Sequence, residues 1–294
     1  MPNIRAGLAL MVNAFAWGVS WWPFRQLQEM GLHPLWTTAL MYLVALLVLL
    51  LIHPYAWRGW LQYPALWSLA LAAGLTNVGF NWAVTVGDVV RVVLLFYLMP
   101  AWVVILAWPL LGEKPNASSL IRLGLALAGM VVVLKTSDSP WPVPESLADW
   151  LAIMGGGAFA LTNILLRKFN HTPPSSSLLA LFGGGALISA LAALAGVQCG
   201  MVTLLPDMQL QWVYWVGGLS LLMLTGNLGL QYGAARLSAT ATSVIMLSEV
   251  VFASGSAVLL GTSELMPRVL VGGAMILLAS VLCAVQPAKA IDSH

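Results

Sequence analysis

The residues best placed to do chemistry are few, and one acid leads them. Residues 238–261, SATATSVIMLSEVVFASGSAVLLG, are long enough to span a bilayer, yet they carry Glu249 almost at their middle. A carboxylate facing hydrocarbon costs at least about 2.5–3.5 kcal/mol, so an intramembrane acid belongs against a protein interior or a watery cavity. The other nine of the ten acids fall at or beyond the ends of apolar runs. Glu249 therefore predicts an inside, and a role in touching solute or proton. The blander alternative is a carboxyl hydrogen-bonded to Ser248, Ser254 or a neighbouring helix.

Amides and indoles complete the inventory. Asn77 and Asn81 are four apart and share a helix face, as do Asn227 and Gln231. Amides facing lipid would go unsatisfied, so both faces are expected to point inward, either to one central cavity or to each other as interhelical glue. Asn13, Trp17, Ser20 and Trp21 fall on one stripe of the first helix, and Asn163 answers from the sixth. Trp17, Trp82 and Trp102 lie deep enough to offer flat faces to an apolar solute or a cation, or to pack on a neighbouring helix. Most other tryptophans sit near helix ends and fit an interfacial belt. Pro100, close to Tyr97, removes a backbone hydrogen bond and predicts a kink or hinge. Short Gly-rich stretches such as 155–157 read as close-packing surfaces.

The sequence excludes several classes. At 60% hydrophobic and 7% charged residues, with 12 Lys plus Arg in 294 and a net charge of +2, it lacks the basic patches that nucleic acid requires. No HExxH, GxSxG or metal-ligand cluster is present; catalytic residues, metals and cofactors are not expected, and intramembrane hydrolysis would need a second deep polar group. Cys199 and Cys283 fall near opposite membrane ends in the topology below, too far apart for a disulfide.

The elements that must hold these residues are helices. A span needs about 20 mostly apolar residues. Cutting at Pro, Gly and charged clusters gives ten: 6–25, 34–53, 64–86, 90–111, 117–135, 147–168, 175–197, 211–234, 238–261 and 267–286. The expected class is an all-α polytopic membrane protein, with a first five-helix repeat over 1–135, a proline-rich extracytoplasmic linker over 136–146, a second repeat over 147–286 and a cytoplasmic tail over 287–294. With the amino terminus inside, eight basic residues lie inside and four outside, which favours both termini in the cytoplasm.

The halves answer each other. A shift of 150 lays TNVGFNWAV (76–84) on GNLGLQYGA (226–234), matching Asn77 with Asn227, Gly79 with Gly229, Asn81 with Gln231 and Trp82 with Tyr232. FYLMPAWVVILAWPLLGE (96–113) lies on MLSEVVFASGSAVLLGTSE (246–264). Five helices per half is an odd number, so the second half enters the membrane upside down. That is the inverted-repeat plan of secondary transporters, whose sites lie near the midplane.

These features, with the Leu-Leu-Gly-Glu ending and Leu247-Ser248-Glu249, resemble the EamA-type exporters of the drug/metabolite transporter superfamily. The Trp-rich WGVSWW at 17–22 and the length are most similar to bacterial aromatic amino acid exporters of the YddG type. The resemblance covers essentially the whole chain. It implies a non-enzymatic, alternating-access exporter of small amphipathic metabolites in the inner membrane, with aromatic and other apolar amino acids as substrates. The substrate-binding set expected from the residues is Trp17, Trp21, Asn77, Asn81, Tyr97, Trp102, Asn163, Asn227, Gln231, Tyr232 and Glu249, with Pro100 as hinge. The expected partners are a small-molecule substrate and the lipid bilayer, and the expected state is a monomer. A multidrug exporter of lipophilic cations is the alternative; a membrane-embedded enzyme or passive channel is the reading from another class. One departure stands out: the family pattern has proline after the glutamate, where this chain has Val250.

Overall fold

The computed structural model describes residues 2–87, 89–134, 144–207, 210–261 and 266–285. Most of the expected linker (136–143), the 287–294 tail, and the loop acids Asp88, Asp138, Glu264 and Asp292 lie outside the described residues. The described chain is all-helical: α1 (Pro2–Glu29), α2 (Pro34–Ile52), α3 (Ala56–Gln62), α4 (Leu66–Val86), α5 (Val89–Phe96), α6 (Met99–Leu111), α7 (Ala117–Leu134), α8 (Leu147–Lys168), α9 (Pro174–Gln198), α10 (Leu210–Ala234), α11 (Ala239–Met246), α12 (Glu249–Leu259) and α13 (Pro267–Ala284).

Nine spans among the described residues are long and apolar enough to cross a membrane, each broken pair α5/α6 and α11/α12 making one span. The first expected segment, α1, is 28 residues long but carries Asn13, Ser20 and three tryptophans, which keep it out of that set. Large apolar side chains such as Leu8, Leu51, Leu71, Ile121 and Leu194 stand exposed along these helices, as a lipid-facing surface requires. The protein is a polytopic, multi-pass membrane protein. The short α3 was not anticipated; it lies between spans, where Trp57 and Arg58 interrupt the apolar pattern.

Two expected single helices are broken at corresponding positions. Helix 90–111 parts at Tyr97–Leu98, where Pro100 lacks the N–H that would have bonded Phe96 four residues back. Helix 238–261 parts at Leu247–Ser248 without a proline. There the N–H groups of Leu247, Ser248, Val250 and Val251 bond three residues back, at 3.0–3.2 Å, and the Ser248 hydroxyl donates to the Ile245 carbonyl at 2.7 Å. A tightened turn with a serine competing for the backbone does what proline does in the first copy.

The halves interlock instead of standing side by side. α1 packs on α10 and α12, while α8 packs on α4 and α6; α2 packs on α9 and α7 on α13. Exchanging corresponding helices of the halves maps each of these pairings onto another or onto itself. Glycines permit the tightest crossings: a Cβ at Gly79 would come within 2.7 Å of the Gly155 Cα and Leu151 oxygen on α8, and one at the matching Gly229 would meet the Ala9 oxygen on α1.

Candidate functional site

Where the halves interlock, two adjoining hollows open, about 310 and 360 Å3 of atom-free space counted out to their mouths. Both are walled by Trp17 of α1, Thr76 and Asn77 of α4 and Phe159 of α8. The first adds Tyr42 of α2, Thr162 of α8 and Asn227 of α10. The second adds Phe80 and Asn81 of α4, Phe96 at the end of α5, and Glu249 at the start of α12.

Asn77 and Asn227, matched by the internal repeat, come from opposite halves to the wall of the first hollow, where both stand beside the Tyr42 phenol. Each amide also turns its NH2 back on its own helix, Asn77 to the Ala73 oxygen at 2.8 Å and Asn227 to the Met223 oxygen at 2.9 Å. The two helix breaks meet as well, since Tyr97 at the first and Glu249 at the second form a side-chain hydrogen-bonding pair. Ser248 is not that carboxyl's partner, because its hydroxyl is directed to Ile245 and to the Met11 sulfur at 3.2 Å. A continuous aromatic wall runs beside Glu249: the Phe80 and Phe96 rings are 4.7 Å apart, and Phe96 and Phe159 stack at 6.0 Å.

Of the residues singled out from the sequence, Trp17, Asn77, Asn81, Asn227 and Glu249 line the hollows, and Tyr97 stands directly behind Glu249. The rest lie elsewhere. Trp21 donates its indole N–H to the Ser256 hydroxyl at 2.9 Å and ties α1 to α12. Trp102 packs against the main core. Asn163 is fully buried with neither amide atom partnered, and its neighbour Thr162 takes the wall position, a rotation of about 100° along the helix. Leu230 lines the first hollow where Gln231 was expected. Tyr232 is exposed, with the Arg236 guanidinium 3.7 Å above its ring. Trp82 packs in a satellite cluster with Leu35, Val78 and Ala193.

Tyr42, Thr76, Phe80, Phe96, Phe159 and Thr162 were missed. For Tyr42 a signal existed: it is a phenol midway along the most apolar of the nine spans, and a buried hydroxyl there must find a partner. The phenylalanines left none, being indistinguishable in sequence from core packing.

Ion pairs join the halves at both ends of α8. Arg91, at the start of α5, donates to Asp149 at 2.9 Å and lies 3.5 Å from Glu145. At the other end Arg167 lies 3.5 Å from Glu113 and donates to the Ala235 oxygen at 3.1 Å, while Glu113 also accepts from the Ala239 N–H that opens α11, at 3.1 Å. Among the described residues no group of three or more His, Cys, Asp or Glu could hold a metal ion.

Comparison with known proteins adds the following. Residues 4–135 match the EamA-like transporter family, a family of transporters. No curated protein matches. A solved crystal structure of a protein, 18% identical, superposes with a TM-score of 0.74 over 95% of this chain and 96% of that chain. At that identity the likeness is one of fold.

Proposed function

We propose, from the premise that residues 4–135 form an EamA-like transporter domain, that the whole chain is a secondary carrier exporting small amphipathic metabolites by alternating access. It is built as two inverted five-helix repeats, 1–135 and 147–286, in the inner membrane. One observation carries the proposal: the repeat-equivalent Asn77 and Asn227, one from each half, line one hollow together with Tyr42, next to the hollow that Glu249 lines. A two-fold arrangement around a midplane site is what an alternating-access carrier needs, since the same groups must face each side in turn. The exchange of helix pairings between halves supports the same plan. The resemblance suggests aromatic and other apolar amino acids as cargo. Glu249 on the wall of the second hollow favours organic cations.

Counterflow in proteoliposomes tests the carrier reading, because a channel shows no counterflow and an enzyme alters the solute. Asn77→Leu and Asn227→Leu are each expected to lower counterflow roughly tenfold while leaving membrane insertion and folded yield unchanged, the size of one lost buried hydrogen bond. Parallel loss of folded protein and transport would assign the amides to helix packing.

Orientation is testable on the native chain. With both termini cytoplasmic, Cys199, which is exposed just past the end of α9, faces outward, and Cys283 is buried. An impermeant maleimide added to intact cells is expected to label the wild-type protein and not a Cys199→Ser variant. Labelling of Cys199 only after permeabilisation would invert the arrangement.

A further inference from the structure

The polar groups around the two hollows share one habit: each spends a hydrogen on a neighbouring oxygen. The Thr76 hydroxyl donates to the Ala72 oxygen at 2.8 Å and the Thr162 hydroxyl to the Ala158 oxygen at 2.9 Å. Asn77 and Asn227 donate to Ala73 and Met223, four residues back. Asn81 donates to the Thr38 oxygen at 2.6 Å, and Thr38 gives its own hydrogen to the Pro34 oxygen at 2.7 Å. These partners fix the amide orientations, since only the NH2 end can face an oxygen whose own hydrogen is absent or already given away. What remains for the hollows is the oxygen lone pairs and one further N–H of each amide, and the Asn77 oxygen has no partner within hydrogen-bonding geometry. Glu249 adds a carboxyl.

The donors are neutral. No Lys, Arg or His lines either hollow. Tyr97 is paired with Glu249, which leaves the Tyr42 hydroxyl, the Trp17 indole N–H and the second N–H of Asn77, Asn81 and Asn227. Against these stand the oxygens of Thr76, Asn77, Asn81, Thr162, Asn227 and Glu249. A buried site with a surplus of acceptors and no cation disfavours a ligand that brings an anion, because its charge loses water without gaining an opposite charge.

The geometry points to an organic cation bearing N–H groups, a primary or secondary amine with an apolar or aryl body, as the solute of these hollows. This rests on the carrier reading and narrows it. The ammonium supplies two or three donors to the oxygens and a charge to Glu249, and the Phe80, Phe96 and Phe159 rings receive the body. An amino acid carries the same ammonium, but its carboxylate would find no cation here and only neutral donors. A quaternary ammonium keeps the charge and loses every N–H.

Three probes of one shape separate these cases: 2-phenylethylamine, phenylalanine and phenylethyltrimethylammonium. Binding is read by thermal stabilisation of the purified chain, and transport by counterflow in proteoliposomes. Phenylethylamine is expected to bind at least about tenfold more tightly than either of the others. Equal or tighter binding of phenylalanine would overturn the inference, as would a quaternary ion binding as well as the amine, or no binding of the amine. The two readings fail separately. Amine binding without counterflow would sink the carrier and leave the site; counterflow of phenylalanine without amine binding would do the reverse.

Discussion

Glu249→Gln is expected to lower counterflow of phenylethylamine on the order of a hundredfold in kcat/KM, about 3 kcal/mol, the upper range for a hydrogen bond to a charged group. The substitution is nearly isosteric, so the hollow keeps its shape. What changes is chemistry: the wall loses its charge, and the new amide presents N–H donors where the ligand's own N–H groups point. Glu249→Asp, which keeps the charge at a shorter reach, should lose far less. A proton-carrying role for Glu249 gives another pattern, in which Gln abolishes gradient-driven accumulation yet spares exchange, because exchange needs no net proton movement. Wild-type rates for the Gln variant at every pH would remove Glu249 from function and leave it as helix packing.

Gly184→Leu is expected to abolish folded protein. A Cβ at Gly184 of α9 would collide with the carbonyl oxygen and Cα of Ala70 on α4, both backbone, and neither can rotate away. The contact is reciprocal, since a Cβ at Gly74 of α4 would come within 2.6 Å of the Gly184 oxygen. Overpacking a core by a few methylenes costs about 1–3 kcal/mol when side chains can shift. Here a whole helix must move, and α4 is the helix that holds Thr76, Asn77, Phe80 and Asn81 in the hollows. The monodisperse peak in size-exclusion chromatography should vanish. Gly217→Leu on α10, where nothing lies within 4 Å of the added atom, should leave that peak unchanged. A folded Gly184→Leu protein would mean that α4 and α9 are not pressed together as described.

What the sequence disclosed follows from what lipid demands. A span must be about 20 apolar residues, and apolar runs interrupted by Pro, Gly and charge are visible without any knowledge of packing. The α8 span, for example, begins and ends where its apolar run does. The deep polar residues were visible for the same reason: Glu249, Asn77 and Asn227 stand out against hydrocarbon, and the repeat paired the asparagines before any contact was known. Other features depend on rotation about a helix axis, which the sequence leaves loose. Thr162 replaces Asn163 on the wall and Leu230 replaces Gln231, each a shift of one residue. Tyr232 illustrates another limit, for a residue matched to a deep Trp82 sits instead beneath Arg236 at a helix end. The α11/α12 break was hidden because it comes from backbone bonds three residues back, not from a proline that could be read.

The ion pairs at the two ends of α8 have a mechanical consequence. Arg91 and Glu113 flank the two ends of the broken helix α5/α6, and Asp149 and Arg167 sit at the two ends of α8, so one unbroken rod is fastened across a jointed one like a splint. Bending at Tyr97–Leu98 shortens the jointed rod while the splint keeps its length of roughly 33 Å, so flexing the joint strains the fastenings at its ends. The counterpart joint at Leu247–Ser248 is crossed by α1, and among the described residues no ion pair fastens α1 to α11 or α12. Of two joints that correspond in the repeat, one is braced by charge at both ends, while the other, which carries Glu249, is held to α1 by neutral contacts such as the Trp21–Ser256 hydrogen bond and the Phe15–Phe252 ring pair.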